Sequence, residues 1–354
     1  MSHIGSFPTS PEARAALALS MIDGVGCATF AELMERFGSA QCALDDAERD
    51  GDRTRALTAA DTALGDAARV GMRLLAWGDP LLPRSLHDLD DIPPVLWAVG
   101  DLALLGDVPR VAIVGTRRAT AYGLRVARAL AGAFASAGAC VVSGMARGID
   151  SAAHRAALDA GGPTIAVLGT GADIAYPAAN QTLHAEIGSH GLLLSEYAPG
   201  ERANGGSFPR RNRIIAALAS LTIVVEAGVK SGALITATYA ITLNRAVAAV
   251  PGAIDQPQSE GTNLLIRDGA HMLCGVEDAL ALMGLTRAVR MPHLEPGSDE
   301  SLVWASLDGG STEMDALCAR TRLPASRCLA AVTTLELAGA VECTITGDVR
   351  RRIG

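Results

Sequence analysis

Six short runs of apolar residues recur through the middle of the chain without polar alternation: Arg110–Gly115, Ala139–Gly144, Thr164–Gly169, Leu192–Glu196, Leu221–Ala227 and Ala246–Pro251. Alanine-rich stretches with helical spacing, such as Gly123–Ala137 and Asp150–Ala160, lie between most of them. Strands that are apolar on both faces and alternate with helices predict an α/β fold, a parallel sheet covered on each side. Right-handed crossovers make such a sheet doubly wound and Rossmann-like. Several glycines come where these strands end, at the edge where open sheets bind ligands.

The two ends of the chain have another rhythm. Ala13–Met21 and Thr29–Phe37 read as helices separated by Ile22-Asp-Gly-Val-Gly26, a turn that resembles a helix-hairpin-helix. The N–H groups of such a turn contact a phosphate without reading sequence. A plain packed helix pair fits the same residues, and the acidic run Asp45–Asp52 disfavours DNA on that side. Pro292–Ser298 reads as a linker. Beyond it, Ser301–Leu307, Thr312–Arg322 and Ser326–Ala338 have helical periodicity, with Ser311 and Pro324 as start signals. A hairpin follows, Val341–Thr346 and Val349–Ile353 around Gly347-Asp348. Three helices and a hairpin predict a winged helix, a motif that places its last helix in the DNA major groove. That helix carries one arginine and one glutamate, so protein contact or a structural role is expected, with Arg350-Arg-Arg352 left to touch a backbone. The expected organisation is a helical module (helix-hairpin-helix or SAM-like) over 1–80, a Rossmann-like domain over 81–291 and a winged helix over 299–354.

The formal net charge of −8 and pI near 5.4 mean that the molecule as a whole does not attract nucleic acid, so anion binding requires a local patch. Seven cysteines without a C-x-x-C pair predict reduced, mostly buried thiols and no zinc site. The N-terminal Met-Ser-His-Ile-Gly-Ser lacks a signal-peptide pattern, and no long apolar run spans a bilayer. The reading is cytoplasmic, with no membrane contact.

One patch stands out. The single lysine, Lys230, occupies a glycine-and-serine turn after the strand Leu221–Ala227, and every other basic residue is arginine. Just upstream, Phe208-Pro-Arg-Arg-Asn-Arg213 gathers guanidinium groups at the start of a helix. If the two segments meet, they form a cationic site with exposed backbone N–H groups, suited to phosphates. The first sheet loop, Gly115–Gly123, lacks G-x-G-x-x-G and carries Arg117 and Arg118 where a dinucleotide site needs glycine. These arginines suit phosphate pairing and equally read as solvated surface residues. The loops Ser143–Asp150 and Gly169–Pro177 read as phosphate nests or tight turns, with Asp150 or Ser151 capping one helix and Asn180 the next. His154, four residues after Asp150, fits a hydrogen-bonded pair. No G-x-S-x-G, H-E-x-x-H or Walker A motif accompanies these residues, so no catalytic residue, metal or cofactor is assigned.

Taken together, these blocks resemble the DNA-processing protein A family (DprA, also called Smf). The family pattern G-S/T-R-x-x-T-x-Y-G falls on Gly115–Gly123, S-G-x-A-x-G-I-D on Ser143–Asp150, and L-G-x-G-x-D-x-x-Y-P-x-x-N on Leu168–Asn180. F-P-x-R-N-R-I-I-A falls on Phe208–Ala216, S-G-x-L-I-T-A on Ser231–Ala237, V-P-G on Val250–Gly252 and N-x-L-I-x-x-G-A on Asn263–Ala270. Ala233 stands where serine is common, a departure expected to matter little. The resemblance implies a single-stranded DNA-binding recombination mediator. Such a protein protects incoming strands in natural transformation, helps load the RecA recombinase and dimerises through its Rossmann-like domain. It also implies DNA contacts at Arg117, Arg211, Arg213 and Lys230, to which Arg118, Arg210, Asn212 and Ser231 are added as neighbours. Of the nearby aromatics, Tyr122, Tyr176 and Phe208, the last is expected to pack into the core, with guanidinium stacking in its place.

Two other classes share features with this chain. A Rossmann-like nucleoside monophosphate hydrolase needs a glutamate beside the phosphate loop, and Glu226 lies four residues before Lys230. A transcription regulator would lose all DNA binding on removal of the residues after Pro296, whereas the mediator would keep its single-strand site.

Overall fold

The computed structural model describes residues 9–46, 52–286, 294–307, 312–344 and 348–351. The N-terminal hexapeptide, the centre of the acidic run, the start of the expected linker, Ser311, the Gly347 turn and Arg352 lie outside them. The chain divides into two units, Met1–Leu285 and Thr286–Gly354.

The first unit opens with four helices, α1 (Pro11–Ser20), α2 (Cys27–Phe37), α3 (Ala40–Asp46) and α4 (Asp52–Arg69). Ser10 starts α1 by accepting the Ala13 N–H at 3.1 Å, and Pro11 occupies the first turn, where its missing N–H costs nothing. Strands β1 (Arg73–Ala76) and β2 (Val95–Gly100) follow, then the alternating series β3 (Arg110–Val114), α5 (Ala121–Ser136), β4 (Cys140–Ser143), α6 (Ile149–Asp159), β5 (Thr164–Leu168), α7 (Gln181–His190) and β6 (Leu192–Ser195). The second half comprises α8 (Ser207–Leu218), β7 (Leu221–Val224), α9 (Gly232–Thr242), β8 (Ala246–Ala249), α10 (Glu260–Arg267), β9 (His271–Met272) and α11 (Val276–Ala281).

All six apolar runs are strands of one nine-stranded sheet of order β1-β2-β6-β5-β4-β3-β7-β8-β9. From β6 to β9 every pairing is parallel. At the other edge β2 runs antiparallel to β6, and β1 antiparallel to β2, so the sheet is mixed rather than wholly parallel. Side chains alternate across it as the pleat requires. Ala112 and Val114 pack with α8 and α9, while Val111 and Ile113 pack with α5, α6 and α11. A third core joins the N-terminal helices to Val95, Trp97 and Leu193. The chain leaves β3 toward β4, β5 and β6, then returns to place β7 on the opposite side of β3. The sheet therefore has its topological switch point between β3 and β7, where such folds hold ligands.

The second unit contains α12 (Asp299–Ser306), β10 (Thr312–Glu313), α13 (Met314–Thr321), α14 (Ala325–Leu337), β11 (Val341–Cys343) and β12 (Asp348–Arg351), with strand order β10-β12-β11. This is a winged helix with its own core around Val303, Leu317, Val332 and Leu335. Thr312-Glu313 pairs with β12, so the middle helix begins later than its periodicity predicted. Arg350 pairs with Glu342 at 2.5 Å, and Arg351 lies 4.4 Å over the Trp304 ring.

The cysteines depart from expectation. All seven are free, but only Cys27, Cys140 and Cys328 are buried. Among the described residues, no helix is long and apolar enough to cross a membrane, and no His, Cys, Asp or Glu group is arranged to hold a metal.

Candidate nucleic-acid interface

A cleft of about 800 Å³ opens at the switch point, over the ends of β3 and β7. Three segments distant in sequence line it: Gly115–Arg118 after β3, Phe208, Pro209, Arg211 and Asn212 on α8, and Gly228–Gly232 leading into α9. Arg117, Arg118, Arg211, Asn212, Lys230 and Ser231 all reach it. The lysine turn is closed by the Ser231 N–H donating to the Gly228 carbonyl at 2.9 Å. Ser231 in turn caps α9, accepting the Ala233 N–H at 3.3 Å. Lys230 is thus exposed beside a helix N-terminus, whose dipole adds to its charge.

The arginine cluster does not act as one surface. Along an α-helix each residue turns by about 100°, so Arg210 and Arg213 share a side and Arg211 faces another. Arg211 turns to the cleft, where only 5% of its surface is exposed. Its Nη1 donates to the Gly144 carbonyl at 2.8 Å and to that of Val167, and its Nε to Asn212 Oδ1 at 3.2 Å. Asn212 Nδ2 donates to the Gly232 carbonyl at 3.1 Å, bracing α8 against the first turn of α9. Burial, only partly offset by the Asp150 charge, brings Arg211 down to about 10. The second glycine loop is shaped by this residue: a Cβ at Gly144 would lie 2.5 Å from Arg211 Nη2.

Arg213 is elsewhere. Fully buried, it donates from Nη1 and Nη2 to both Glu196 carboxylate oxygens at 2.6 Å and pairs through Nε with Asp91 at 2.7 Å. Burial opposes its charge, but Glu196 and then Asp91 outweigh it and raise its pKa. Arg210 lies beside Arg213, 3.8 Å from Glu196, and donates to Cys27 Sγ at 2.9 Å. Neither lines the cleft in this conformation, so the expectation of a phosphate contact at Arg210 or Arg213 has no support from its geometry.

The remaining polar residues are accounted for locally. Asp150 turns its carboxylate back to accept the Gly144 and Ala146 N–H groups at 3.2 and 3.4 Å. The second loop's nest is therefore filled by its own aspartate, whose carboxyl burial pushes up against the opposing field of Arg211. His154 does not pair with Asp150. Because Thr164 Oγ1 donates to the Val141 carbonyl, His154 Nδ1 must donate to Thr164 Oγ1, at 2.7 Å. Burial first, then the Arg211 charge, hold this imidazole neutral with its pKa down at about 3. Asn180 makes no side-chain cap and donates instead to the Met145 carbonyl at 2.9 Å.

Glu226 is buried behind the first loop. Its carboxylate accepts the Thr120 N–H at 2.9 Å and the Thr120 hydroxyl, while Thr120 caps α5 through the Gly123 N–H at 3.1 Å. It does not line the cleft, so the glutamate on which the hydrolase reading rested is committed to holding that loop. Glu260, at the start of α10, does line it. Phe208 also departs from expectation: half-buried, it forms part of the cleft wall, with the Arg117 guanidinium carbon 5.3 Å from its ring centre.

Fold and cleft together define a Rossmann-like protein with a cation-lined cleft at its switch point, preceded in the chain by a helical module and followed by a winged helix. Family models assign it further: residues 73–284 match DNA recombination-mediator protein A, 290–344 the DprA winged helix domain, and 11–63 the DprA-like N-terminal HHH domain. The chain belongs to the DNA recombination-mediator protein A (DprA) family. It is similar to the putative DNA processing protein DprA of Mycobacterium tuberculosis, 43% identical over 260 residues that cover 71% of this chain and 67% of the relative. Protein Smf of Escherichia coli is 34% identical over 281 residues, 76% of this chain and 75% of that protein. The X-ray structure of DprA from Streptococcus pneumoniae superposes with a TM-score of 0.68 at 34% identity, covering 78% of this chain and 98% of that one. DprA of Helicobacter pylori, a protein with a described single-stranded DNA binding mode, matches with a TM-score of 0.55 and 34% identity over 59% of this chain and 94% of that one.

Proposed function

We propose that this protein is a recombination mediator that binds single-stranded DNA in the cleft at the β3–β7 switch point. It protects incoming strands during natural transformation and helps load RecA, acting as a homodimer and by binding rather than by catalysis. One observation carries the reading. Arg211 is a nearly buried guanidinium on the cleft wall, held by carbonyl oxygens, with no carboxylate of the described residues in ion-pair contact. A buried cation is costly unless fully compensated, and Asp150, which also lines the cleft, offsets Arg211 only in part, so an anion supplied from outside would complete the site. Arg117, Arg118, Lys230 and the α9 N-terminus extend that demand along the cleft, as a phosphate backbone requires.

The Helicobacter pylori relative, whose single-stranded DNA binding mode is described, and the placement of Arg117, Arg211 and Lys230 on one cleft support DNA over a small anion. Phosphate pairing reads no sequence, so binding is expected to tolerate any base order. The test is fluorescence anisotropy of a mixed-sequence single strand against wild type, Lys230→Ala and Arg117→Ala, with duplex as control. Preferential single-strand binding that both substitutions weaken is the expected result. Wild type that binds neither form would overturn the proposal, and nucleoside monophosphate hydrolysis would then be assayed.

A further inference from the structure

The cleft accounts for phosphates but leaves open what engages the bases. Only 3% of the chain is aromatic, yet a second aromatic ring and a guanidinium meet on Phe208, a residue of the cleft wall. Phe208 has Arg117 at 5.3 Å on its ring and the Tyr176 ring centre at 5.2 Å, tilted by 31°. Arg117 and Phe208 line the cleft, whereas Tyr176 does not, so the contacts lead from the cationic groove outward. Tyr176 leaves 47% of its surface exposed.

Its loop is fixed at several points. Thr170 Oγ1 donates to the Ile174 carbonyl at 3.0 Å, and His184 Nε2 donates to that of Ala172 at 2.9 Å. The Asn180 N–H donates to the Pro177 carbonyl at 2.9 Å, and the Asn180 side chain ties the loop to Met145. Asp173 accepts the Gly200 N–H at 3.0 Å. An exposed aromatic held this way loses little conformational freedom when something stacks on it.

We infer that Tyr176, backed by Phe208 and Arg117, is the platform on which a nucleobase of the bound single strand stacks. The inference rests on the function proposed above and deepens it. Every base offers a π face, so the platform is indifferent to sequence. In duplex DNA those faces are covered by neighbouring bases, so the platform favours single strands, which phosphate contacts alone do not do. The Arg117 guanidinium on the Phe208 ring adds a cation–π contact and keeps its N–H groups at the cleft.

The experiment compares a mixed-sequence oligonucleotide with an abasic strand of equal phosphate number, titrated against wild type, Tyr176→Ala and Tyr176→Phe across a salt series. On the base-bearing strand, Tyr176→Ala should weaken Kd roughly five- to 150-fold with the salt slope unchanged, and Tyr176→Phe should bind within about twofold of wild type. On the abasic strand all three proteins should bind alike. Tyr176→Ala binding the base-bearing strand as wild type does, or losing equally on both strands, would overturn the inference. Tyr176→Trp gives a readout independent of affinity: its added fluorescence should be quenched by the base-bearing strand and not by the abasic one, and equal response to both would count against stacking. If wild type binds neither strand, the parent proposal fails; abasic binding that is intact but blind to Tyr176 leaves the parent standing whatever the base-bearing strand shows.

Discussion

Removing Lys230 should change not only how tightly a single strand binds but how steeply binding depends on salt. Four cationic side chains line the cleft: Arg117, Arg118, Arg211 and Lys230. If each meets one phosphate, counterion release from a single strand gives a slope of log K against log salt of about −0.7 per contact, or about −2.8 in all. Between 50 and 200 mM salt, wild type should then lose about 50-fold in affinity. Lys230→Ala leaves three contacts and a slope of about −2.1, an approximately 18-fold loss over the same range. The curves therefore converge at high salt, which a general destabilisation would not produce. The assay is anisotropy of a labelled oligonucleotide of about eight nucleotides, within the span of one single-strand groove. Arg128→Ala, an exposed substitution on α5 that does not line the cleft, serves as the control and should leave the slope unchanged. Equal slopes for wild type and Lys230→Ala, or a wild-type slope no steeper than about −0.7, would refute the assignment of the cleft as the phosphate track.

Arg213→Met should act on stability, since it leaves the buried Glu196 carboxylate with only Arg210, 3.8 Å away, in place of its bidentate partner; a loss of roughly 3–5 kcal/mol is expected in urea unfolding, and unchanged stability with lost DNA binding would reverse the reading. Glu260→Gln removes an anion from the phosphate cleft and should tighten single-strand binding by roughly two- to fivefold at low salt, a surface-charge effect that titration would detect. His154 contributes pH dependence with a defined sign. Its folded pKa, about 3, lies below the ordinary value of 6.5, so its stability contribution is fully present above pH 6.5 and is lost as pH falls toward 3. The slope in that window is up to about 1.4 kcal/mol per pH unit, and denaturant unfolding of His154→Leu should show it flattened. Deleting the residues after Pro296 should leave single-strand binding in place, because the cleft lies wholly within the first unit; complete loss would favour a regulator acting through its winged helix.

The central sheet was legible because strands covered on both faces need apolar side chains at nearly every position; Val111–Val114 supplies them without interruption, and Leu221–Val224 does so except at the buried Thr222. Of the edge pair, Arg73–Ala76 begins on an arginine and is half-buried at its start, so it lacks the unbroken apolar run of the other strands, whereas Val95–Gly100 carries that run and was missed. The cleft was legible for a different reason: its loops follow strands that the topology brings side by side at the switch point. What the linear sequence concealed was direction. Phe208-Pro-Arg-Arg-Asn-Arg213 reads as one cationic cluster only until it is wound into a helix. Three residues apart, Arg210 and Arg213 then share a side, on which Glu196 and Asp91 neutralise the buried Arg213, while Arg211 projects onto the cleft wall. The helical period alone separates a pair from a single residue. It could not have shown which side meets carboxylates, because Glu196 and Asp91 lie on other segments and join the cluster only in the folded chain. The same limit explains Phe208. Its apolar character suggested the core, yet its place is decided by Arg117 and Tyr176, which come to it from the loops after β3 and β5.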